Sequence, residues 1–449
     1  MKTSISISLL LVVFTVVLAG RSFGQAAPTV TQVQTQTPAG TTTPRLSWVD
    51  GTVHYALSAS EVVQYGYYGS GNTTSATALS GVVGYSSLSQ VHPTSLLFAG
   101  GVVLGQGGQG TSTYQNIAVS QALIKGLWIF NVSDSFSFLP QSPVTGVAGV
   151  PGINSPGTIP IDGPSQGPAG GILTFSGNRI SNMVSGMVER RLTGRTSISG
   201  VGSWSLLHFV DKSAGLDTSM ISGQVALNHR IDQRNSMSLS AVYSTFNTSN
   251  LTALFPPGFP TNSVTYQTKG INVSYSRLWT RSLSTDVSAG PMWIQSSAAA
   301  LIPDKLNYSV NAGLGYSRRL ASYSLRYMHG VNGGSGVQPG GLYDSVTGSA
   351  GRTFSQRWSG SASLVYTRTR GLLYVSPAVG SVNSATNTVY GTLQVTHGFS
   401  RALSGYASYT AQNQSINQGL LIPNAFNGTS HIFGIGVSWT PQSTRLGDF

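Results

Sequence analysis

A chain of 449 residues that is 40% hydrophobic, only 8% charged and +12 in formal net charge lacks the surface of a soluble enzyme, where roughly a quarter of residues are charged. Without cysteine it has no disulfide framework, thiolate metal site or lipid-modified N-terminus. Its 19 Tyr, 16 Phe and 7 Trp recur in alternating patterns, which excludes wholesale disorder, and its longest apolar run, near residues 8–19, is shorter than the roughly 20 residues a membrane helix needs.

That apolar run belongs to residues 1–26, which read as an export signal: Lys2 supplies the positive start, Leu9 to Leu18 the apolar centre, and Gly24-Gln25-Ala26 the small residues for cleavage. Residues 27–48 are Thr/Gln/Pro-rich without a period and are expected to form a flexible periplasmic leader. From residue 49 to about 440 the period is two. In Asn307–Tyr316 the even positions are Tyr, Val, Ala, Leu and Tyr, and the odd ones Asn, Ser, Asn, Gly and Gly. Ile221/Val225/Leu227 against Ser222/Gln224/Asn228, and Phe433/Ile435/Val437/Trp439 against Gly434/Gly436/Ser438, carry the same code. One such strand would suit any half-buried sheet, but no soluble sheet needs nearly 400 residues of it.

Strands are expected near 53–67, 76–88, 94–104, 111–121 and 126–138, with thirteen more between about 178 and 440. The total is about eighteen, or sixteen if the first hairpin lies outside the wall. Six short turns resemble one another: 192–195, 231–234, 279–282, 319–322, 354–357 and 399–402. Longer connections rich in Gly, Pro, Asn and Ser separate them, so each interval holds two strands of about 11 residues, a tight turn and a long loop. The segment from about Pro140 to Gly171 has seven prolines and cannot form regular helix or sheet. Its Pro151, Ile153, Pro156, Ile159 and Pro160 mark a candidate constriction loop, which either folds inward to narrow the barrel or covers its outer mouth. Residues 441–449 are expected to be a C-terminal tail.

Positive charge gathers at the turns, where Arg191, Arg195, Arg234, Arg281, Arg319, Arg357 and Arg401 would form a periplasmic rim that pairs with lipid phosphates or funnels anions. Glu189, beside Arg190 and Arg191, is expected in a rim salt bridge. The polar face of the strands, Ser, Thr, Gly and Asn, carries few charges, and Arg326, Asp286, Ser324, Asn311 and Gln224 are the candidate pore-lining residues. The arginines sit at spaced turns with no aromatic-lined groove between them, so nucleic acid is not a partner. Seven scattered His residues lack metal-ligand spacing, and Gly105–Gly110 precedes a strand-like run rather than a helix, so no metal, cofactor or enzymatic activity is expected.

Taken together, the dyad repeat, the alternating short turns and long loops, the export signal and the absence of Cys resemble the Gram-negative outer-membrane β-barrels, and more loosely the porins and polysaccharide-export barrels of similar strand number. The resemblance implies an all-β, antiparallel up-and-down transmembrane barrel, aromatic girdles formed by residues such as Trp204, Tyr275, Trp293, Tyr308, Tyr316, Tyr323, Trp358, Tyr409 and Trp439, and an outer-membrane location. Membrane lipids, the assembly machinery of that membrane and small hydrophilic solutes are the partners it implies. In such barrels the last strand commonly ends the chain in an aromatic residue, whereas here Thr440–Asp448 separates Trp439 from Phe449. The function expected is passive diffusion of neutral or weakly anionic solutes; a non-conducting surface scaffold and a polysaccharide-export conduit remain as alternatives.

Overall fold

A computed structural model describes residues 51–66, 73–89, 91–105, 111–140, 178–212, 215–251, 262–299, 301–333, 340–372, 385–416 and 426–446. Eighteen long strands make up nearly all of them: β1 Gly51–Tyr65, β2 Thr73–Ser87, β3 Thr94–Gly105, β4 Thr111–Lys125, β5 Trp128–Pro140, β6 Asn178–Arg191, β7 Thr196–Phe209, β8 Asp217–Arg230 and β9 Asn235–Ser249. The second half continues with β10 Ser263–Leu278, β11 Leu283–Ser296, β12 Lys305–Arg318, β13 Ala321–Asn332, β14 Gly341–Thr353, β15 Trp358–Gly371, β16 Ala385–Gly398, β17 Leu403–Ile416 and β18 Gly428–Trp439. Each strand pairs antiparallel with the next, and β1 pairs with β18 from Leu57↔Trp439 to Tyr65↔His431, which closes the sheet. Closure leaves no strand edge, as hydrocarbon requires of any sheet that spans it.

The expected eighteen strands are therefore all present, and the first hairpin is part of the wall. They run to 12–16 residues rather than about 11. At about 3.3 Å per residue and a tilt near 40°, 14 residues rise about 35 Å, so each strand extends past the hydrocarbon at its ends. Beyond Trp439 the chain, read from sequence as a tail, adds a short strand, β19 Thr444–Leu446, opposite Gly51–Val53.

Alternation assigns the two faces. The Tyr266 hydroxyl on β10 donates to the Asn332 carbonyl at the end of β13, 2.7 Å away, bridging two intervening strands, so the face of Tyr266 is the concave one. On the opposite face large apolar side chains stand exposed all round: Leu57, Val132, Ile221, Leu239, Val273, Val287, Leu314, Leu325, Leu393 and Ile435. Trp204, Tyr275, Trp293, Tyr308, Trp358 and Trp439 join them, whereas Tyr316 is buried beside Tyr323. A closed sheet with this outward apolar surface is an outer-membrane-type transmembrane barrel.

The tight turns repeat because their chemistry repeats. In five of the six, the second residue caps the backbone: Thr193, Asp232, Thr280, Ser355 and Ser400 each accept from the N–H groups two and three residues on. The residue before each cap, Leu192, Ile231, Trp279, Phe354 or Phe399, is apolar and exposed.

Candidate functional site: the inner wall

On strands β5 to β13 the concave face is mostly Ser, Asn, Gly and Met, and its hydroxyls pair across strands. Ser133 bonds Ser185 at 2.7 Å, Ser203 bonds Ser222 at 2.6 Å, and Ser236 bonds Ser276 at 2.7 Å. The Asn228 amide donates to Ser199 at 3.1 Å, and the Ser309 hydroxyl donates to Asn272 at 2.6 Å. Each hydroxyl retains acceptor capacity beyond its bond along the wall, which makes the surface hydratable without giving it net charge.

Within this surface lies an ion pair. Asp286 on β11 and Arg326 on β13 are separated by β12, yet their charged groups approach to 3.7 Å, and each side chain is about a quarter exposed. Gly313 makes the contact possible: it is directly opposite both Asp286 and Arg326, and a Cβ there would collide with the Asp286 carboxylate. The reach across the intervening strand thus depends on a missing side chain.

Of the candidate lining residues, Asp286, Asn311, Ser324 and Arg326 fall on the concave parity of three consecutive strands, while Gln224 stands apart on β8. Arg191, Arg195, Arg234, Arg281, Arg319, Arg357 and Arg401 are exposed at or beside the short turns. Their neighbours Arg190, Arg277 and Arg352 instead lie over the rings of Trp128, Trp279 and Phe354, at 5.1, 4.1 and 5.9 Å. Glu189 makes no salt bridge among the described residues, contrary to expectation. It shares the concave face with Arg191 but is not in ion-pair contact with it, and alternation turns Arg190 to the other face, towards Trp128. Pro151, Ile153, Pro156, Ile159 and Pro160 lie outside the described residues.

Two features depart from a uniformly polar lining. At the long-loop mouth Leu216, Phe246, Leu251, Val264, Tyr266, Ile294 and Ile302 form a buried cluster, which Leu342 joins from the outward parity of β14, opposite Arg370. Phe246 stacks on Tyr266 with ring centroids 4.8 Å apart, and Gly340, at φ +91°, leaves room for the Tyr266 ring. Across β18 and β1–β4 much of the concave face is buried, with Ala56, Val62, Ala76, Ala78, Val82, Leu97, Ala99, Val103 and Ile432 set among buried Ser60, Gln64, Ser430 and Ser438. Here Tyr114 lies over Gly101, and Tyr406 lies over Gly436. Small residues on the intervening strand let a neighbouring ring cover the wall, a relation that alternation along one strand does not reveal.

Among the described residues no three His, Asp or Glu side chains gather as a metal site. No family model and no curated protein matches the sequence. Among solved structures, the chain is similar to the Pseudomonas aeruginosa protein OpdL, at 9% identity and a TM-score of 0.42 over 87% of this chain and 98% of that one. It is similar to Pseudomonas aeruginosa OprD at 13% identity and 0.41 over 88% and 96%, and to the vanillate complex of OpdK from the same organism at 10% and 0.42 over 87% and 99%. These likenesses concern overall shape alone.

Proposed function

We propose that this barrel is a passive channel of the bacterial outer membrane, inserted by that membrane's assembly machinery, for small hydrophilic solutes that are neutral or weakly anionic. The observation that supports it is the sector from β5 to β13, where paired hydroxyls surround one ion pair whose charges offset each other. Eighteen strands enclose a lumen wide enough for water, and a hydroxyl lining solvates solutes without selecting strongly for charge. The exposed arginines at the short-turn rim add positive potential at one entrance, which tilts passage towards anions and also suits inner-leaflet phosphates. The cluster around Phe246 and Tyr266 narrows the other entrance, so the conductance expected is smaller than that of an unobstructed barrel of this size.

Planar-bilayer recording of the folded full chain tests this reading. A steady conductance with chloride modestly preferred over potassium is expected; silence from folded protein, or a clear cation preference, would reject it.

A further inference from the structure

The outer face carries charge that a channel does not need. Along β15 the outward residues run Trp358, Gly360, Ala362, Leu364, Tyr366, Arg368, Arg370. Ten residues separate Trp358 from Arg368, a rise of about 25 Å along the membrane normal at a tilt near 40°, which matches the height of the apolar band. Arg368 and Arg370 therefore emerge where hydrocarbon gives way to headgroups on the long-loop side.

Their surroundings are built. Asp344 on β14 accepts the Tyr327 hydroxyl at 3.0 Å on the same oxygen that lies 2.7 Å from His329 Nδ1. Its other oxygen faces Arg370 at 3.6 Å. His329 is buried and stacks on Tyr308, with ring centroids 4.4 Å apart. Arg368 is opposite both Asp344 and Asn387 in the ladder and has no ion pair among the described residues. Arg370 alone pairs with this carboxylate, which Tyr327 and His329 also engage, so the charge of Arg368 is left uncompensated and the site keeps an excess positive charge. Just below, Leu364 lies between Gly348 and Gly391, with Val346 and Tyr366 above it. Leu364 leans over Gly391 and Leu325 over Gly348, so an uncharged, apolar stretch of outer wall leads from the arginines into the membrane.

We propose that Arg368 and Arg370 bind the phosphate of a membrane lipid whose acyl chain lies along the apolar outer wall beneath them, against Leu364 and Leu325. A phosphate accepts paired hydrogen bonds from guanidinium forks, and a lipid is the one occupant that meets both the cationic head and the apolar track of this surface. Asp344 acts as a positioning residue that orients Arg370. The proposal is independent of whether the barrel conducts.

The full chain in neutral detergent, offered bisphosphorylated lipid A or its dephosphorylated form and examined by native mass spectrometry, provides the test. The unmodified protein is expected to retain the phosphorylated form preferentially. Arg368→Gln with Arg370→Gln should lose that retention about tenfold, while Lys305→Gln, at the same end of the barrel, should keep it. Equal retention by the double variant, equal binding of the dephosphorylated form, or displacement of the lipid by inorganic pyrophosphate would overturn the proposal. Should the glutamine variant fail the heat-modifiability check for folding, the paired lysine variant replaces it: retention reduced at least threefold supports the fork, and unchanged retention rejects it.

Discussion

The concave wall has two unlike sectors. From β5 to β13 it presents short hydroxyls bonded to their neighbours and the Asp286–Arg326 pair. Across β18 and β1–β4 it is largely buried, with Ala and Val side chains among enclosed Ser60, Gln64, Ser430 and Ser438, and with Tyr114 and Tyr406 lying over glycines. Both sectors obey the same alternation, so facing inward and being wetted are separate properties. Alternation decides the first; the size of residues on the adjoining strands decides the second.

The contrast can be broken most strongly in the buried sector. Tyr114→Ala removes a ring that is 1% exposed and is expected to cost about 3–5 kcal/mol, read as a lower unfolding midpoint in denaturant. An effect below about 1 kcal/mol would mean that the sector is wetted after all. In the hydroxyl sector the largest response should be electrical. Asp286→Asn leaves Arg326 uncompensated and is expected to raise chloride-over-potassium permeability severalfold, whereas Arg326→Gln should lower it; Gly313→Leu should resemble a broken pair, because its side chain occupies the carboxylate's path.

Ser203→Ala deletes one cross-strand hydroxyl bond, and its expected cost is about 1 kcal/mol, well short of Tyr114→Ala. Smallest of all is a response outside both sectors, at the 231–234 turn. The Asn235 side chain, then the backbone N–H groups of Arg234 and Asn235, donate to Asp232 and hold its carboxyl below the ordinary carboxylate range. Because the folded pKa is depressed, the stabilisation is complete above the unfolded value of about 4 and is lost as pH falls through the folded value. Amide exchange at Asn235 should quicken as pH drops below about 4, beyond the intrinsic pH dependence of exchange, and that excess should vanish in Asp232→Ala.

Much of this was legible in the sequence because the determining contacts are local. The split in Asn307–Tyr316 fixes a strand and its two faces without reference to any other residue. The tight turns are legible for the same reason, since Thr193, Asp232, Thr280, Ser355 and Ser400 bond within three residues of themselves. What escaped depends on residues far apart in the chain. Tyr266 meets Asn332 across two strands, and Tyr114 can cover the wall only because Gly101 faces it. Gly313 reads as one more small residue until the register sets it between Asp286 and Arg326. Arg368 and Arg370 did leave a signal, the parity they share with Trp358 and Leu364, which is hidden when arginines are counted only by their distance from turns.

One face of each strand meets water inside the barrel and the other meets lipid. The chain has no cysteine, so single replacements at neighbouring positions of β11 address this directly, with the channel current read before and after a charged, membrane-impermeant thiol reagent. Ser288→Cys is expected to react and to reduce the current, while Val287→Cys, one residue away and exposed on the outer face, should leave it unchanged. Block through Val287→Cys with none through Ser288→Cys would contradict the assignment of the two faces.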